Sequence, residues 1–511
     1  MKTDRLKCLI IMDGFGKPEN PEVSAIRKDN TKFLQSVAKK YPSMLLSASE
    51  EDVGLPQGQT GTSDVGHLTI GTGRVKYQPL VEINRAIKSG EFFKNKELLW
   101  AIENAKKTGR SLHLMGIPTD GGVHGHIEHL KTLIKMCAEN GLKDNVYIHY
   151  FTDGRDTPVK SATRYLKQIE DAIEKYGCGK IATIIGRVYA LDRDKNWDRV
   201  ELAYNAMVFG DGVKEQDCNV AIKNAYAKGE TDEFIMPIVM TDSQGEPVGV
   251  VKKYDSVISY NYRADREKQL ARAFDDGNDL YFGTKDLKLS FVCMTNYDES
   301  LDFCKVAFPP KKMKNILSEI LSKKGYRQLK VAETEKYPYV TFAFNDGRLE
   351  EYENEDRVLI NSVKMKSYAG KPEMSAYEVA AATIDGINKK EYDVVVVNFA
   401  NCDMVGHSGD MNAARKAVEV VDECVKNVVE AVLAQNGVVL LTADHGNADC
   451  MILEDGSPCS AHTKAKVPFF LIDNQKTYQL KQSGTLADIA PTLLKLLGEK
   501  VPEEMTGKPL F

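Results

Sequence analysis

Two stretches in the C-terminal part of the sequence decide the fold: YDVVVVNFANCDMVGH, residues 392–407, and GVVLLTADHGNAD, residues 437–449. Each opens with a run of apolar residues of strand length and closes on a polar loop. Because the runs are apolar at every position, they are typical of strands buried on both faces, as in a parallel sheet covered by helices. The segment between them, residues 411–435, has helical periodicity.

The same alternation of strand and helix continues along the whole chain. Further strand-like runs are LKCLIIM, SLHLMGI, NVYIHYF, KIATIIG, SVISYNY and KVPFFLI. Helix-like segments lie between such runs, for example at residues 127–139, 161–176 and 375–389. Alternating strands and helices predict an α/β protein with parallel sheets.

The length predicts more than one domain, since 511 residues exceed the usual size of a single hydrophobic core. Acidic and histidine residues of ligand type lie near both ends, within 13–63 and 403–462, whereas an arginine-rich set lies in the middle, within 155–266. This distribution favours one discontinuous domain with a second domain inserted into it.

The predicted boundaries follow from two proline-containing linkers, near Val75–Pro79 and near Ala307–Lys312. We therefore expect a discontinuous metal-binding α/β domain over 1–77 and 311–511, and an inserted α/β domain for substrate binding over 80–306.

Composition excludes several classes of protein. A net charge of −5 disfavours nucleic-acid binding, which needs a basic surface. No stretch approaches the roughly 20 apolar residues needed to cross a bilayer. The ten cysteines form no C-x-x-C pair and the sequence has no secretory signal, so we expect reduced thiols in a cytoplasmic protein.

Residues that commonly bind metals follow several of the predicted strands. In open α/β sheets the loops at the carboxyl ends of the strands meet at one edge, so these side chains are expected to converge. They are Asp13, Asp403, His407, Asp444 and His445, with His462 preceding a further strand.

Spacing adds detail to this prediction. Asp403 and His407 are four residues apart, which places them on one side of a helical turn. Asp444 and His445 are adjacent and can converge only if their strand has already ended. Any one such residue is more often a cap or a surface group, but the set together indicates a mixed carboxylate and imidazole site for Mn²⁺, Zn²⁺, Co²⁺ or Mg²⁺, with room for two ions.

A nucleophile is expected in GQTGTSDVGHLTIGTG, residues 58–73. A hydroxyl at the start of the predicted helix lies at the positive end of its dipole, and a nearby divalent cation would lower its pKa. The alternative is a plain loop with a helix cap. Spacing alone does not choose among Thr60, Thr62 and Ser63.

A second histidine group lies in GGVHGHIEH, residues 121–129. No carboxylate or cysteine completes a zinc site at a standard interval, so we expect no metal there. We predict instead that His124 faces the substrate and that His129 is a surface residue of the following helix.

An anion-binding cluster is predicted in the middle of the chain. Guanidinium groups bind phosphate and carboxylate in bidentate fashion. The arginines that follow predicted strands, or lie in the loops just beyond, are Arg155, Arg187, Arg193, Arg263 and Arg266. The alternative is that each pairs with a neighbouring acid among Asp156, Asp192, Asp194 and Asp265 as a surface ion pair. Lys336 is either a solvated lysine or part of the site.

These motifs together resemble the cofactor-independent (2,3-bisphosphoglycerate-independent) phosphoglycerate mutase family of the alkaline phosphatase superfamily. The resemblance covers nearly the whole chain. It is carried by IMDGFG, GTSDVGHL, DGGVHGH, TDGRDT, YNYRADR, NCDMVGHSG and TADHGNAD. Thr62 and Asp64 stand where the family commonly has Asn and Glu.

The resemblance implies the roles of individual residues. One Mn²⁺ would be held by Asp13, Ser63, Asp444 and His445, and a second by Asp403, His407 and His462. Ser63 would be the nucleophile, forming a phosphoserine intermediate. The substrate would be bound by His124, Arg155, Asp156, Arg187, Arg193, Arg263, Arg266 and Lys336.

The activity implied is interconversion of 2- and 3-phosphoglycerate in glycolysis and gluconeogenesis, an isomerase reaction of a cytoplasmic monomer. Related activities that share the metal core are phosphatase, nucleotide phosphodiesterase and phosphopentomutase. A sulfatase is disfavoured because no C-x-P-x-R or S-x-P-x-R segment lies near Ser63. A non-catalytic relative would have lost its nucleophile or several ligands, which this sequence retains.

Overall fold

The computed structural model describes residues 5–275 and 282–511. The chain divides into two compact units, one comprising Met1–Gln78 with Lys312–Phe511 and the other Pro79–Lys311. We call them unit 1 and unit 2. Among the described residues, no helix is both long and apolar enough to span a membrane.

The strands and helices alternate as expected for an α/β protein. The strands are β1 Lys7–Met12, β2 Ser43–Ser47, β3 Leu112–Gly116, β4 Val146–Thr152, β5 Lys180–Gly186, β6 Val213–Glu215, β7 Ile238–Met240, β8 Ser256–Ser259, β9 Ser290–Cys293, β10 Cys304–Val306, β11 Gln328–Glu333, β12 Glu355–Ile360, β13 Val394–Phe399, β14 Val438–Thr442, β15 Val467–Ile472 and β16 Gly484–Thr485. The helices are α1 Lys32–Lys40, α2 Ser63–Thr72, α3 Pro79–Ser89, α4 Lys96–Thr108, α5 Ile127–Glu139, α6 Ala162–Tyr176, α7 Arg187–Ala190, α8 Trp197–Val208, α9 Cys218–Ala227, α10 Ala264–Ala273, α11 Leu317–Lys323, α12 Ala376–Asn388, α13 Asn401–Gly406, α14 Met411–Ala434 and α15 Ile489–Leu497.

Unit 1 is built on one sheet with the order β12-β11-β13-β1-β14-β15-β2-β16. The central strand β1 pairs in parallel with β13 and with β14, so that Lys7 lies beside Val394 and Val438. Every residue of these three strands is buried. Helices α14 and α15 both contact β1, which agrees with the predicted sheet covered by helices.

One strand of unit 1 departs from the predicted parallel pattern. Strand β15, the KVPFFLI segment, runs antiparallel to both of its neighbours, β14 and β2. The loop 443–466 contains no helix that could carry the chain back across the sheet. Because a parallel pairing needs such a crossover, β15 starts from the edge where β14 ends and runs in the opposite direction.

Unit 2 contains a second sheet, with the order β10-β9-β8-β3-β4-β5-β7-β6. It is parallel except that β7 pairs antiparallel with β5. Helix α5 has the predicted bounds, and α6 begins one residue later than predicted. The buried apolar residues of unit 2 form two hydrophobic clusters that are separate from the core of unit 1.

Candidate active site

Three aspartates of unit 1 meet at the carboxyl edge of its sheet. Asp13 follows β1 directly, Asp403 lies in the short helix α13 that follows β13, and Asp444 lies two residues beyond β14. Since β13, β1 and β14 are adjacent and parallel, the three side chains converge. All three are buried.

Gly14 allows this convergence. Its φ is +75°, in the left-handed region that glycine tolerates best, and a Cβ on it would lie 2.7 Å from the Cα of Asp403. Its backbone N–H also donates to Asp444 Oδ1 at 3.2 Å. The glycine therefore brings the loops of all three strands into contact.

Three histidines surround Asp403. Its Oδ1 lies 3.2 Å from Nε2 of His407 and 3.0 Å from Nε2 of His462. The ring of His445 stacks on that of His462 with centroids 4.0 Å apart. As the spacing predicted, Asp403 and His407 lie on one side of a helical turn, and strand β14 has ended before His445.

Backbone carbonyl groups orient two of these rings. The Nδ1 atom of His407 lies 2.7 Å from the oxygen of Ser460, and that of His462 lies 2.8 Å from the oxygen of Gly61. A carbonyl oxygen only accepts, so each Nδ1 carries a proton, and the ring in its neutral form presents the Nε2 lone pair to the site. This is the tautomer that binds metals through Nε2.

Ser63 is the hydroxyl that reaches the centre of the site. It is the first residue of α2, and Thr62 caps the helix by accepting from the Val65 N–H. The Oγ of Ser63 lies 3.2 Å from Asp13 Oδ1 and 3.0 Å from Nε2 of His445. The structure thus separates the cap, Thr62, from the buried hydroxyl, Ser63.

Lys336 is buried and belongs to the site. Its Nζ donates to Ser63 Oγ at 2.6 Å and to Asp403 Oδ2 at 2.6 Å, and lies 2.8 Å from Asp13 Oδ1. Burial alone would lower the pKa of Lys336, but the surrounding carboxylates outweigh burial and raise it. The amine therefore remains an ammonium ion at neutral pH.

The three carboxylates differ in their protonation. Burial and the charge of Asp444 raise the pKa of Asp13. Burial opposes ionisation of Asp403 and Asp444 as well, but Lys336 and the histidines lower the pKa of both. Two carboxylates thus remain ionised in a buried space, and further positive charge would favour ionisation of the third.

Donor chemistry and geometry fit divalent cations. The ligand-type atoms of Asp403, His445 and His462 lie within 4.8 Å of one another, as do those of Asp13, His67 and Asp444. Oδ2 of Asp444 is buried, and His67 Nδ1 lies 3.2 Å from it. Nε2 of His445 lies 3.5 Å from both Asp13 and Asp444 and 3.9 Å from Asp403, so it lies between the two groups.

The site opens into a cavity of about 320 Å³. Ser63, Lys336, His407 and His462 line it together with Asp64. Asp64 is exposed, whereas Ser63 beside it is buried.

Two residues of the site were not predicted from the sequence. His67 is fully buried, with Nδ1 2.9 Å from the carbonyl oxygen of Ser63 and 3.2 Å from Asp444 Oδ2. Asn398, near the end of β13, donates to Asp13 Oδ2 at 2.8 Å. The i to i+4 spacing of Ser63 and His67 on one helix, and a polar residue within the VVVVN strand, were the available signals.

A separate cluster in unit 2 is centred on Arg187. This residue follows β5 and is 3% exposed. It donates to Asp153 at 2.5 Å, to Asp156 at 2.6 Å and to Nε2 of His124 at 2.9 Å. Burial and the neighbouring guanidinium lower the pKa of His124 to about 4, so its ring is neutral, with Nδ1 buried and unpartnered.

The other predicted arginines lie at the surface of unit 2 or are partly buried. Arg193 and Arg263 both pair with Asp265, each at 3.1 Å. Arg155 lies 3.5 Å from Glu233 rather than against Asp156. Burial and the positive charges of Arg187, Arg193 and Arg155 lower the pKa of Arg266. Arg266 is therefore close enough to these three arginines to belong to the same cluster.

These contacts test the alternative hypothesis that each arginine of the middle segment only forms a surface ion pair. The predicted pair with a sequence neighbour is found for Arg263, which pairs with Asp265, whereas Arg193 pairs with the same Asp265 and not with Asp192 or Asp194; both arginine side chains are about half exposed. Arg187 differs, because it is buried and holds two carboxylates and a histidine together. The cluster thus combines one buried centre with several exposed guanidinium groups.

The prediction that His129 is a surface residue is wrong. Its side chain is fully buried, with Nε2 2.9 Å from Asn84 Oδ1 and the ring against the edge of Tyr262. Helix α3 covers this face of α5, which periodicity within α5 alone did not reveal. The neighbouring His126 caps α5 by accepting from the Glu128 N–H.

Comparisons with known proteins agree with this geometry. The family described as BPG-independent PGAM N-terminus matches residues 83–299, and the Sulfatase family matches residues 387–499. The 2,3-bisphosphoglycerate-independent phosphoglycerate mutase of Clostridium novyi is 48% identical over 505 residues, covering 98% of both chains. That of Acetivibrio thermocellus is 48% identical over 511 residues, covering 99% of both.

A solved structure is also similar over the full length. The Leishmania mexicana phosphoglycerate mutase, crystallised at low cobalt concentration, has a TM-score of 0.54 and 30% sequence identity. The match covers 99% of this chain and 98% of that one. With near-complete coverage at 48% identity and a matching fold, the chain belongs to the 2,3-bisphosphoglycerate-independent phosphoglycerate mutase family.

Proposed function

We propose that this chain interconverts 2- and 3-phosphoglycerate through a phosphorylated Ser63, with divalent cations and without 2,3-bisphosphoglycerate. The observation that carries the proposal is the position of the Ser63 hydroxyl. Its Oγ lies within 3.2 Å of Asp13, His445 and Lys336, in a buried space at the carboxyl edge of a parallel sheet.

Two divalent cations would be held by separate ligand sets. Asp13, Ser63, Asp444 and His445 would hold one ion, and Asp403, His407 and His462 the other. We propose Mn²⁺ as the preferred ion, with Co²⁺, Mg²⁺ or Zn²⁺ as alternatives for a carboxylate and imidazole site. When bound, such ions lower the pKa of a nearby hydroxyl and offset the charge of the transferring phosphoryl group.

The side chains of unit 1 would direct the transfer. Ser63 Oγ attacks the phosphorus in line and gives its proton to a site carboxylate, the bond from phosphorus to the substrate oxygen breaks, that oxygen takes up a proton, and the products are phospho-Ser63 and glycerate. Because the pKa of Lys336 is raised, its ammonium group does not act as the base. It instead orients Oγ and stabilises negative charge on the phosphoryl oxygens.

The arginine cluster of unit 2 would bind the substrate's anionic groups. We propose that Arg155, Arg193, Arg263 and Arg266 hold the carboxylate and phosphate. Arg187 would then orient Asp156 and His124, since it donates to both. His124 is neutral with a free Nδ1–H, which suits a hydrogen bond to a substrate oxygen. The second transfer returns the phosphoryl group from Ser63 to the other hydroxyl of glycerate.

The domain roles follow as part of the same proposal. The discontinuous segment 1–77 and 311–511 would bind metal and carry the nucleophile, and 80–306 would bind the substrate. We also propose that the enzyme acts as a cytoplasmic monomer, which light scattering of the purified chain would test.

A coupled assay tests the reaction. Conversion of 3-phosphoglycerate to the 2-isomer is followed with Mn²⁺ and without bisphosphoglycerate, before and after chelation, and inorganic phosphate is measured in parallel. We expect isomerisation that chelation stops and added Mn²⁺ restores, with little phosphate release. Steady phosphate release without isomerisation would instead identify a phosphatase.

The variant Ser63→Ala tests the covalent step. It removes only Oγ, so we expect loss of turnover while Mn²⁺ binding persists through the remaining ligands. The conservative Thr62→Ser variant retains the cap hydroxyl and serves as the control, with turnover close to wild type. Wild-type turnover in Ser63→Ala would refute the phosphoserine route.

A further inference from the structure

His67 and Asn398 form a buried pair behind the proposed metal ligands. His67 lies one turn after Ser63 on α2, and Asn398 is the fifth residue of β13. Both side chains are fully buried. Neither belongs to the ligand sets proposed above, so their polar atoms need another explanation.

The contacts of His67 determine where its proton lies. Its Nδ1 faces two oxygen atoms, the Ser63 carbonyl at 2.9 Å and Asp444 Oδ2 at 3.2 Å, and both only accept. Its Nε2 lies 3.0 Å from Nδ2 of Asn398, which only donates. A neutral ring protonated on Nδ1 satisfies every one of these contacts. Both nitrogens are then engaged by protein atoms, which is why we assign Asp13 and Asp444 of this group, and not His67, as ligands.

Asn398 extends the chain of contacts to a second carboxylate. Its Nδ2 also lies 2.8 Å from Asp13 Oδ2, so one amide group donates both to the ring and to the carboxylate. The pair therefore joins the start of α2, the loop after β1 and the loop after β14. These three segments carry Ser63, Asp13 and Asp444.

We infer that His67 is a positioning residue which, together with Asn398, fixes Asp13 and Asp444 relative to Ser63 for binding of one of the two cations. The inference rests on the proposed function, because it names the residues that orient the ligands of the proposed cation site. Groups that orient metal ligands in this way typically change metal affinity by about 10- to 100-fold when they are removed.

Two substitutions at one position separate the proton donor from simple packing. His67→Leu fills the space but removes both nitrogens. In His67→Asn the amide nitrogen takes the place of Nδ1, so it retains a donor toward the Ser63 carbonyl and Asp444. Metal-free full-length protein is titrated with Mn²⁺ by calorimetry, which resolves the two ions as separate binding events.

We expect His67→Leu to weaken one of the two binding events by about 10- to 100-fold and to leave the other nearly unchanged. His67→Asn should recover most of the lost affinity. The matched control is His129→Asn, which alters a buried histidine of unit 2 that also contacts an asparagine, and both of its binding events should equal those of the wild type.

Several results would overturn the inference. The first is a His67→Leu variant with wild-type Mn²⁺ affinity at both sites, and the second is a His67→Leu variant that loses affinity equally at both sites. The third is a His67→Asn variant that binds Mn²⁺ as weakly as His67→Leu. Should His67→Leu fail to fold, Asn398→Leu removes the donor to Asp13 from the other side, and wild-type affinity in that variant overturns the inference equally. A chain that lacks mutase activity but shows the predicted Mn²⁺ pattern would refute the proposed function alone.

Discussion

Replacing Lys336 by Met is the perturbation whose energy follows most directly from the structure. The ammonium group is 3% exposed and lies 2.6 Å from Asp403 and 2.8 Å from Asp13. Removing one member of a buried ion pair leaves an uncompensated charge, which costs about 3–5 kcal/mol. For a unit of this size that corresponds to a fall in the melting temperature on the order of 10 °C.

The loss should depend on metal. Divalent cations supply positive charge to the same two carboxylates, so excess Mn²⁺ should recover a large part of the melting temperature that Lys336→Met loses in chelator. The measurement is thermal unfolding by calorimetry of both proteins, each with chelator and with Mn²⁺.

Lys330 provides the matched control. It is a fully buried lysine of strand β11, 2.9 Å from Ser318, 2.7 Å from Asn345 and 3.2 Å from Glu355, and none of these is a proposed metal ligand. Lys330→Met should be destabilised equally with and without Mn²⁺, and by less than Lys336→Met because Glu355 keeps Arg357 at 2.7 Å. Two results would refute the reasoning: Lys336→Met as stable as wild type in chelator, or equal recovery by Mn²⁺ in both variants.

Three further predictions follow from the geometry. Gly14→Ala should destabilise the protein by at least about 1–2 kcal/mol from the positive φ alone, which denaturant unfolding measures. It should also weaken Mn²⁺ binding, because the new Cβ displaces Asp403. An unchanged affinity in an Mn²⁺ titration would contradict this second effect. Asp403 raises the pKa of His407, and outweighs burial to raise that of His462. In chelator the contribution of these two histidines to stability is therefore full below the ordinary histidine pKa of about 6.5 and is lost as pH rises through the raised pKa values. The affinity for Mn²⁺ should instead fall as pH drops through the same window, because the ions compete with protons. Unfolding and Mn²⁺ titrations from pH 5 to 9 test both trends, and stability and affinity that change in the same direction with pH would contradict them. Arg187→Met should cost about 3–5 kcal/mol of unfolding free energy, because it leaves buried carboxylate without its guanidinium, and should raise KM for 3-phosphoglycerate in the coupled assay; an unchanged KM would separate this residue from substrate binding.

The sequence was sufficient to predict the parts of the fold that depend on local pattern. Uniformly apolar runs predicted the buried central strands, and the bounds of α5 and α14 agree to within one residue. Strand direction was less accessible, because β15 has the same apolar pattern whichever way it runs. Its antiparallel course depends on the absence of a crossover helix in the preceding loop, which is a property of the connection rather than of the strand.

Within the candidate site, the sequence indicated which residue types come together but not their partners. Asp13, Asp403 and Asp444 follow strands, so their convergence was predictable. Ser63 could not be distinguished from Thr62, because only the structure shows which hydroxyl caps the helix. The burial of Lys336 was equally inaccessible, since a lysine in a polar segment is usually solvated and only the acids from other loops hold it inside.

The central place of β1 in its sheet has a consequence for biosynthesis. This strand is made long before both of its neighbours, β13 and β14, which follow residue 393. While the ribosome is still translating the middle of the gene, the apolar CLIIM segment has no strand to pair with and needs shielding from solvent or from other nascent chains. Residues 79–311, by contrast, contain every strand of their own sheet and can complete it earlier. We therefore expect the proposed metal ligands to come together late, after His462 has left the exit tunnel, so that chains terminated before this residue would be unable to retain the ions.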